Sequence, residues 1–80
     1  MKKLGEMKTG ESGKITKVLE APGESGAAIT RRLLEMGFLE GSMVELLHQA
    51  PFGGDPVAVR VRGALIALRR NEANLIEVTS

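Results

Sequence analysis

The side chains that could take part in chemistry are few, and the most reactive of them lie in one short stretch. His48 is the only histidine, Glu45 precedes it by three residues, and the chain has no cysteine. Imidazole and carboxylate groups bind transition metals, so these two residues are the weak metal-ligand candidates. In a regular strand this spacing places the two side chains on opposite faces. A structural strand histidine and a transient metal contact are both open interpretations.

A glycine-rich stretch at residues 10–14 invites comparison with a phosphate-binding loop. That loop requires the pattern G-x-x-x-x-G-K-[ST]. Here Lys8 stands five positions before Gly13, and Lys14 is followed by Ile15, which has no hydroxyl group. A strand rather than a helix is also predicted to follow. The stretch is not a nucleotide site, and because no positioned nucleophile or acid–base pair is visible elsewhere, the sequence predicts no enzyme.

Two further segments are candidates for binding a partner. Residues 57–70 contain four arginines and no acidic residue, which indicates either a solvated sheet face protected by charge or a surface for an acidic partner. The loop 51–56 is dense in Gly and Pro, and its Phe52 either folds back over the core or meets a partner. Loops on small rigid scaffolds often carry binding residues. The candidate partner-binding residues are Met36, Phe38, Pro51, Phe52, Asp55, Arg69 and Arg70.

The composition limits what these residues can build. The chain has 80 residues, a formal net charge of +1 and two aromatic residues. One small domain over 1–80, with its core at about 4–79, is expected, because a chain of this size has room for one core. Near-neutral charge and scarce aromatics argue against nucleic-acid binding. No apolar run is long enough for a membrane span and no signal-peptide pattern is visible, so we expect a cytoplasmic protein.

Hydrophobic periodicity predicts the element order β-α-β-β-β-β. A helix at about 25–36 is indicated by Ile29, Leu33 and Met36, which fall at i, i+4 and i+7. Ser25 is the expected N-cap, and Gly37 is the expected left-handed residue after the helix, with Phe38 contacting Leu33. The predicted strands are 14–20, 43–50, 57–62, 64–69 and 75–78, with a helical turn near 71–74. Five short strands around one core favour a β-barrel whose open end the helix covers.

Three blocks of the sequence resemble the FeoA family of ferrous iron transport proteins. Residues 32–41 are similar to its pattern R-L-x-x-[LM]-G-[LF]-x-P-G, and residues 50–56 to its A-P-[LF]-G-D-P loop. Residues 66–78 are similar to its closing [IV]-x-L-[RK]-x-x-E-A-x-x-I-x-V. Glu40 stands where the family often has Pro, and the loop carries one extra glycine at Gly53-Gly54.

This resemblance implies a mainly β fold: a small SH3-like five-stranded barrel with the helix inserted after the first strand. It implies a non-enzymatic cytoplasmic accessory of the bacterial Fe²⁺ permease FeoB, acting by protein–protein interaction. A similar domain forms the C-terminal part of iron-dependent repressors, so the alternative is a stand-alone metalloregulator-type domain. A nucleic-acid-binding barrel is a less favoured alternative. The family is associated with transition metals. No firm cofactor is expected, and weak Fe²⁺ binding and weak homo-oligomerisation stay open.

Overall fold

The fold is dominated by one antiparallel sheet. A computed structural model describes residues 2–51 and 53–79. Within these residues the strands are ordered β1-β6-β2-β3-β4-β5. The strands are β1 (Lys2–Lys3), β2 (Ser12–Val18), β3 (Met43–Gln49), β4 (Val57–Val61), β5 (Ala64–Leu68) and β6 (Ile76–Thr79), and the helices are a 3₁₀ helix (Leu4–Glu6), α1 (Gly26–Glu35) and α2 (Arg70–Ala73).

Alternation along the strands builds a single core. Val57, Val59 and Val61 are at most 1% exposed and point inward, while Arg60 between them is exposed. Buried side chains from every strand except β1 join Leu33 of α1 in one cluster, so the sheet wraps around it. The core residues are Leu4, Met7, Ile15, Leu33, Phe38, Val44, Leu46, Val57, Val59, Val61, Leu68, Ala73, Ile76 and Val78.

The structure adds a sixth strand to the five that were predicted. β1 has only two residues, and it pairs with β6 through Lys2 opposite Val78 and Lys3 opposite Glu77. Two lysines carry no β pattern, so only the pairing with β6 makes this segment a strand. α1 therefore follows the second strand of the chain rather than the first. The mainly β architecture with one longer helix and one helical turn is as predicted.

The end of α1 follows the predicted geometry. Gly37 has a φ of 110°, the Phe38 N–H donates to the Leu33 carbonyl at 3.1 Å, and the Gly37 N–H donates to Leu34 at 3.1 Å. These two bonds define a Schellman motif. Ser25 occupies the N-cap position, but its side chain makes no capping hydrogen bond. The prediction of the position is confirmed, and the expected side-chain cap is wrong.

The strand β4 ends one residue earlier than the sequence suggested, so the turn between β4 and β5 has two residues. Val61 pairs with Ala64, so Arg62 belongs to the turn and not to the strand. Arg62 has a φ of 50° and Gly63 a φ of 81°, which are the two positive values that a type I′ turn requires. The turn therefore presents the Arg62 side chain at one end of β5.

A candidate partner-binding surface

The loop before β4 is tied to the start of α2 by one carboxylate. Asp55 Oδ1 accepts the Arg70 N–H at 3.0 Å, which satisfies a donor that a helix N-terminus otherwise leaves free. The Glu72 side chain accepts the Arg69 N–H at 3.0 Å in the same turn. α2 begins at Arg70, slightly earlier than the predicted turn, because these two carboxylates fix its first residues. Pro51 and Asp55 are exposed, whereas Phe52 lies outside the described residues.

The Arg70 guanidinium holds three separate segments together. Its Nε and Nη2 donate to the Gly54 carbonyl at 3.1 and 2.9 Å, and Nη2 also donates to Gln49 Oε1 at 2.7 Å. Nη1 donates to the carbonyl of Gly5 in the 3₁₀ helix. We call Arg70 with these acceptors on Gly5, Gln49 and Gly54 the Arg70 clamp. Its donors are committed inside the protein, so Arg70 positions the loop rather than offering a free charge.

Arg69 is in the opposite situation. Its side chain is exposed, and the hydrogen bonds it makes among the described residues use its backbone: the N–H donates to Glu72 and the carbonyl accepts from the N–H groups of Glu72 and Ala73. The two neighbouring arginines, which were both candidate partner-binding residues from the sequence, therefore have different roles. Arg69 is available to a partner, and Arg70 is not.

The apolar residues exposed at the end of α1 differ from the two that were predicted from the sequence, Met36 and Phe38. Phe38 is completely buried, since the Schellman turn folds it onto the core, so its side chain is not on the surface. Met36 is half-buried against the core. The apolar residues that reach solvent beside it are Leu34, which is 41% exposed, and Leu39, which is 40% exposed. Leu34 lies next to the apolar stripe of the helix and is not part of the i, i+4, i+7 spacing from which the helix was predicted.

The structure corrects the expected geometry of Glu45 and His48. Glu45 pairs with Arg60 and His48 with Ala58, because a bulge at Leu47 inserts one extra residue into β3. Residues directly opposite in a sheet share a face, and Arg60 and Ala58 are two apart on β4. The two metal-ligand candidates therefore lie on the same outer face, not on opposite faces.

That shared face does not make a tight metal site. The Glu45 carboxylate pairs with Arg60 at 3.3 Å. Among residues 2–51 and 53–79, no group of three or more His, Asp or Glu side chains could hold a metal ion. Two donors, one of them engaged by an arginine, fit at most a weak contact.

The four arginines of residues 57–70 do not form one continuous face. Arg60 is paired with Glu45, and Arg70 is committed to its clamp. Arg62 and Arg69 remain exposed at opposite ends of β5. The positive charge of this segment is therefore concentrated at the two ends of one strand.

Two shallow cavities of about 250 Å³ each lie on the surface. One is lined by Ser12, Met43, Glu45, Arg60 and Arg62 among others, where the carboxylate is already ion-paired. The other lies between α1 and α2 and is lined by Ala21, Pro22, Ile29, Asn71, Glu72 and Leu75. Its carboxylate, Glu72, bonds to the Arg32 guanidinium and the Arg69 N–H. Within the described part of the chain, no helix has the length and apolar character to cross a membrane.

The sequence is similar to a known family along almost its whole length. A family model described as the FeoA domain matches residues 2–80. The chain is similar to an "Fe(2+) transport protein A/Fe(2+) transporter FeoB fusion protein" of Porphyromonas gingivalis, with 36% identity over 76 residues. That match covers 95% of this chain but only 8% of the fusion protein.

Solved structures agree with the fold and with the family. FeoA of Stenotrophomonas maltophilia, complexed with zinc and described as an SH3 domain protein, has a TM-score of 0.85 and 33% identity, over 99% of this chain and 91% of that one. A manganese-dependent transcriptional repressor has a TM-score of 0.81 over 99% of this chain and 41% of its own, but its 19% identity shows a shared fold alone. The predicted SH3-like fold is confirmed, and the chain belongs to the FeoA domain family.

Proposed function

We propose that this protein is a non-enzymatic, cytoplasmic accessory of ferrous iron uptake that acts by binding an FeoB-type Fe²⁺ permease. The observation that carries the proposal is the fusion relative, in which a segment similar to 95% of this chain shares one polypeptide with a transporter. Covalent fusion holds two domains at a high effective concentration. Association of the two domains also requires a binding surface on each, so the proposal rests on what the surface of this domain offers.

The proposed surface has an apolar part and a charged part. The apolar part is the end of α1, where Leu34 and Leu39 are exposed beside the half-buried Met36. Exposed apolar groups rimmed by polar ones are typical of interaction sites. The charged part is Asp55 and Arg69, carried with Pro51 on segments that the Arg70 clamp holds in place.

Co-purification with the permease tests the apolar part. Met36→Glu introduces a charge at the half-buried residue that lies between Leu34 and Leu39 in the sequence, and we expect loss of the permease from the purified complex. Ala28→Glu makes the same kind of change at an exposed position of the same helix, so it should leave the complex intact. A permease that co-purifies equally with both variants would show that this end of α1 is not the interface.

The loop is tested separately with Phe52→Ala. This residue is the large apolar side chain that the sequence places in the loop 51–56. We expect weaker co-purification, while the thermal unfolding midpoint of the isolated protein changes little. A large fall of that midpoint together with intact co-purification would assign Phe52 to the core instead.

Iron enters this proposal as the cargo of the permease, and the isolated chain binds it weakly. A ligand at about ten times its Kd stabilises the folded state by about 1.4 kcal/mol. We therefore expect no shift of the unfolding midpoint with micromolar Fe²⁺ or Zn²⁺. At millimolar metal, we expect any shift to disappear in His48→Ala. A shift at micromolar metal would indicate a tight site and would favour the metalloregulator alternative.

A further inference from the structure

β5 forms an open edge of the sheet. In the strand order it is the terminal strand and pairs with β4 alone. Among the described elements it has extensive contacts with no other helix or strand. Leu65 is 70% exposed, and Ala67 is exposed as well. One side of β5 is therefore held by β4, and the other faces solvent.

The register identifies the backbone groups that point out of this edge. A two-residue hairpin closes on a hydrogen-bonded pair, here Val61 and Ala64. Hydrogen-bonded and non-hydrogen-bonded pairs then alternate along an antiparallel ladder. Leu65 and Ala67 fall at non-hydrogen-bonded positions, so their N–H and C=O groups point away from β4. In the described parts of the chain no donor or acceptor meets these groups. We call the outward N–H and C=O groups of Leu65 and Ala67, together with the two side chains, the β5 edge.

The opposite edge of the sheet lacks this character. β1 has two residues, and both are lysines, which is a common way in which proteins prevent further strand pairing. β5 has five residues, Ala64 to Leu68, and none of them is charged. An uncharged edge of this length is a template for adding a strand.

The charges at the ends of β5 select the occupant. Arg62 and Arg69 are exposed at the two ends of β5. Residues 57–71 contain no acidic residue. A second copy that used both open positions would pair Leu65 with Ala67 of its twin. This register would place Arg69 of each copy opposite Gly63 of its twin, next to the exposed Arg62, and like charges this close repel each other. Acidic residues near both arginines would instead be attracted.

We propose that the β5 edge binds an extended segment of another protein, with an apolar centre and acidic residues at both ends. The segment adds as an antiparallel strand and exchanges backbone hydrogen bonds with Leu65 and Ala67. Its residues opposite these two positions lie beside Leu65 and Ala67 on the outer face, and its acidic ends approach Arg62 and Arg69. This inference concerns the chemistry of the bound segment and does not depend on the identity of the permease as partner.

A capped peptide, Glu-Thr-Val-Thr-Val-Thr-Thr-Glu, is the probe. Titrated into the ¹⁵N-labelled full chain at low salt, it should shift the amide resonances of Leu65 and Ala67 and slow their hydrogen exchange. The same peptide with both valines N-methylated lacks the donors and should produce neither effect. Replacing its two glutamates by lysines should weaken binding at least about tenfold, which corresponds to about 1.4 kcal/mol.

Variants separate the backbone contribution from the charges. Ala67→Pro removes one outward N–H and no bond to β4, so it should abolish peptide binding, while Ala67→Ser keeps the N–H and should retain it. Arg69→Glu provides a test that leaves the strand intact and should weaken binding several-fold. Lys17→Glu, at an exposed position of β2, is its matched control and should have little effect.

Three results would overturn the inference. The first is absence of shifts at millimolar peptide, and the second is a set of shifts centred on another face of the protein. The third is a concentration-dependent shift of Leu65 and Ala67 without peptide, accompanied by dimerisation in sedimentation, because the edge would then belong to a second copy.

Discussion

The Arg70 clamp and the β5 edge use the same chemical groups in opposite ways. In the clamp, backbone carbonyls of Gly5 and Gly54 accept hydrogen bonds from the Arg70 guanidinium. At the β5 edge, the N–H and C=O groups of Leu65 and Ala67 find no protein partner among the described residues, although exposed arginines stand nearby. The clamp is closed by internal bonds, whereas the β5 edge keeps its bonding capacity for another molecule.

Residue type alone does not assign a role to an arginine in this chain. Arg69 and Arg70 are adjacent, but α2 turns one toward solvent and the other toward the loop and the 3₁₀ helix. We expect changes in the Arg70 clamp to alter stability and changes at the β5 edge to alter binding.

The largest effect on stability is expected for Arg70→Met. It removes the hydrogen bonds to Gly5, Gln49 and Gly54 and leaves their oxygens without the guanidinium. Hydrogen bonds to charged groups contribute about 1.5–3 kcal/mol each when buried, and this side chain is only half-buried. We therefore expect a loss of about 3 kcal/mol in urea unfolding. Arg69→Met is the matched control and should stay within about 0.5 kcal/mol of the parent. Equal losses in the two variants would remove the distinction between the arginines.

A smaller loss is expected for Gly54→Ala. A Cβ at this position would lie 2.6 Å from Arg70 Nη2 and 2.9 Å from Gln49 Oε1, and the residue has a φ of 67°. The backbone strain costs about 1 kcal/mol, and displacement of the guanidinium adds to it, for a total of about 2 kcal/mol. In the Arg70→Met background the loss should shrink toward the strain alone. Losses that simply add would show that Gly54 and Arg70 are not coupled.

A weaker, pH-dependent effect is expected at Glu11, which ties down β1. The pKa of Glu11 is lowered because its carboxylate accepts the Lys8 N–H at 2.8 Å and, secondarily, because it pairs with the Lys2 ammonium at 2.9 Å. A carboxyl whose pKa is lower in the folded protein stabilises it above the ordinary value of 4.5, and this contribution is lost as the pH falls through the lowered pKa.

Glu11→Gln checks this direction. Unfolding of the parent and the variant by urea at several pH values should show the parent to be more stable above pH 4.5. The difference should narrow steadily at lower pH. A difference that grows on acidification would mean that the lowered pKa has been assigned the wrong sign.

The smallest effect on stability is expected at the β5 edge. Leu65→Thr removes an apolar side chain that is 70% exposed and keeps a residue with good strand propensity. We expect the free energy of unfolding to stay within about 0.5 kcal/mol of the parent. A loss of more than about 1.5 kcal/mol would show that Leu65 packs in the folded protein and that the edge is not open.

The elements that follow local rules were predictable from the sequence. The helix and its end depend on the apolar spacing of α1 and on Gly37, and the valines of β4 alternate without interruption. The strand at Lys2–Lys3 was not visible, because its two residues have no pattern and only β6 makes them a strand. The prediction that Glu45 and His48 lie on opposite faces of the strand was wrong for a related reason. The bulge at Leu47, which brings them to the same face, leaves no signature in the residue types.

The candidate site was predictable only as a set of segments. The loop 51–56 and the arginines could be selected by composition, but the fold decides which of them are free. The role of Arg70 depends on Gly5 and Gly54 being adjacent in space, although Gly5 is 65 residues away in the chain. Phe38 was selected as an apolar surface residue, whereas the Schellman turn buries it completely.

We propose that this FeoA-family chain binds an FeoB-type permease through the apolar end of α1 and the charged residues Asp55 and Arg69. Calorimetric titration of the intact, detergent-solubilised permease of the same organism with the full chain tests it most directly. We expect saturable binding that Met36→Glu weakens at least about tenfold, or about 1.4 kcal/mol, and that Ala28→Glu leaves unchanged. Absence of saturable binding by the unaltered chain would contradict the claim.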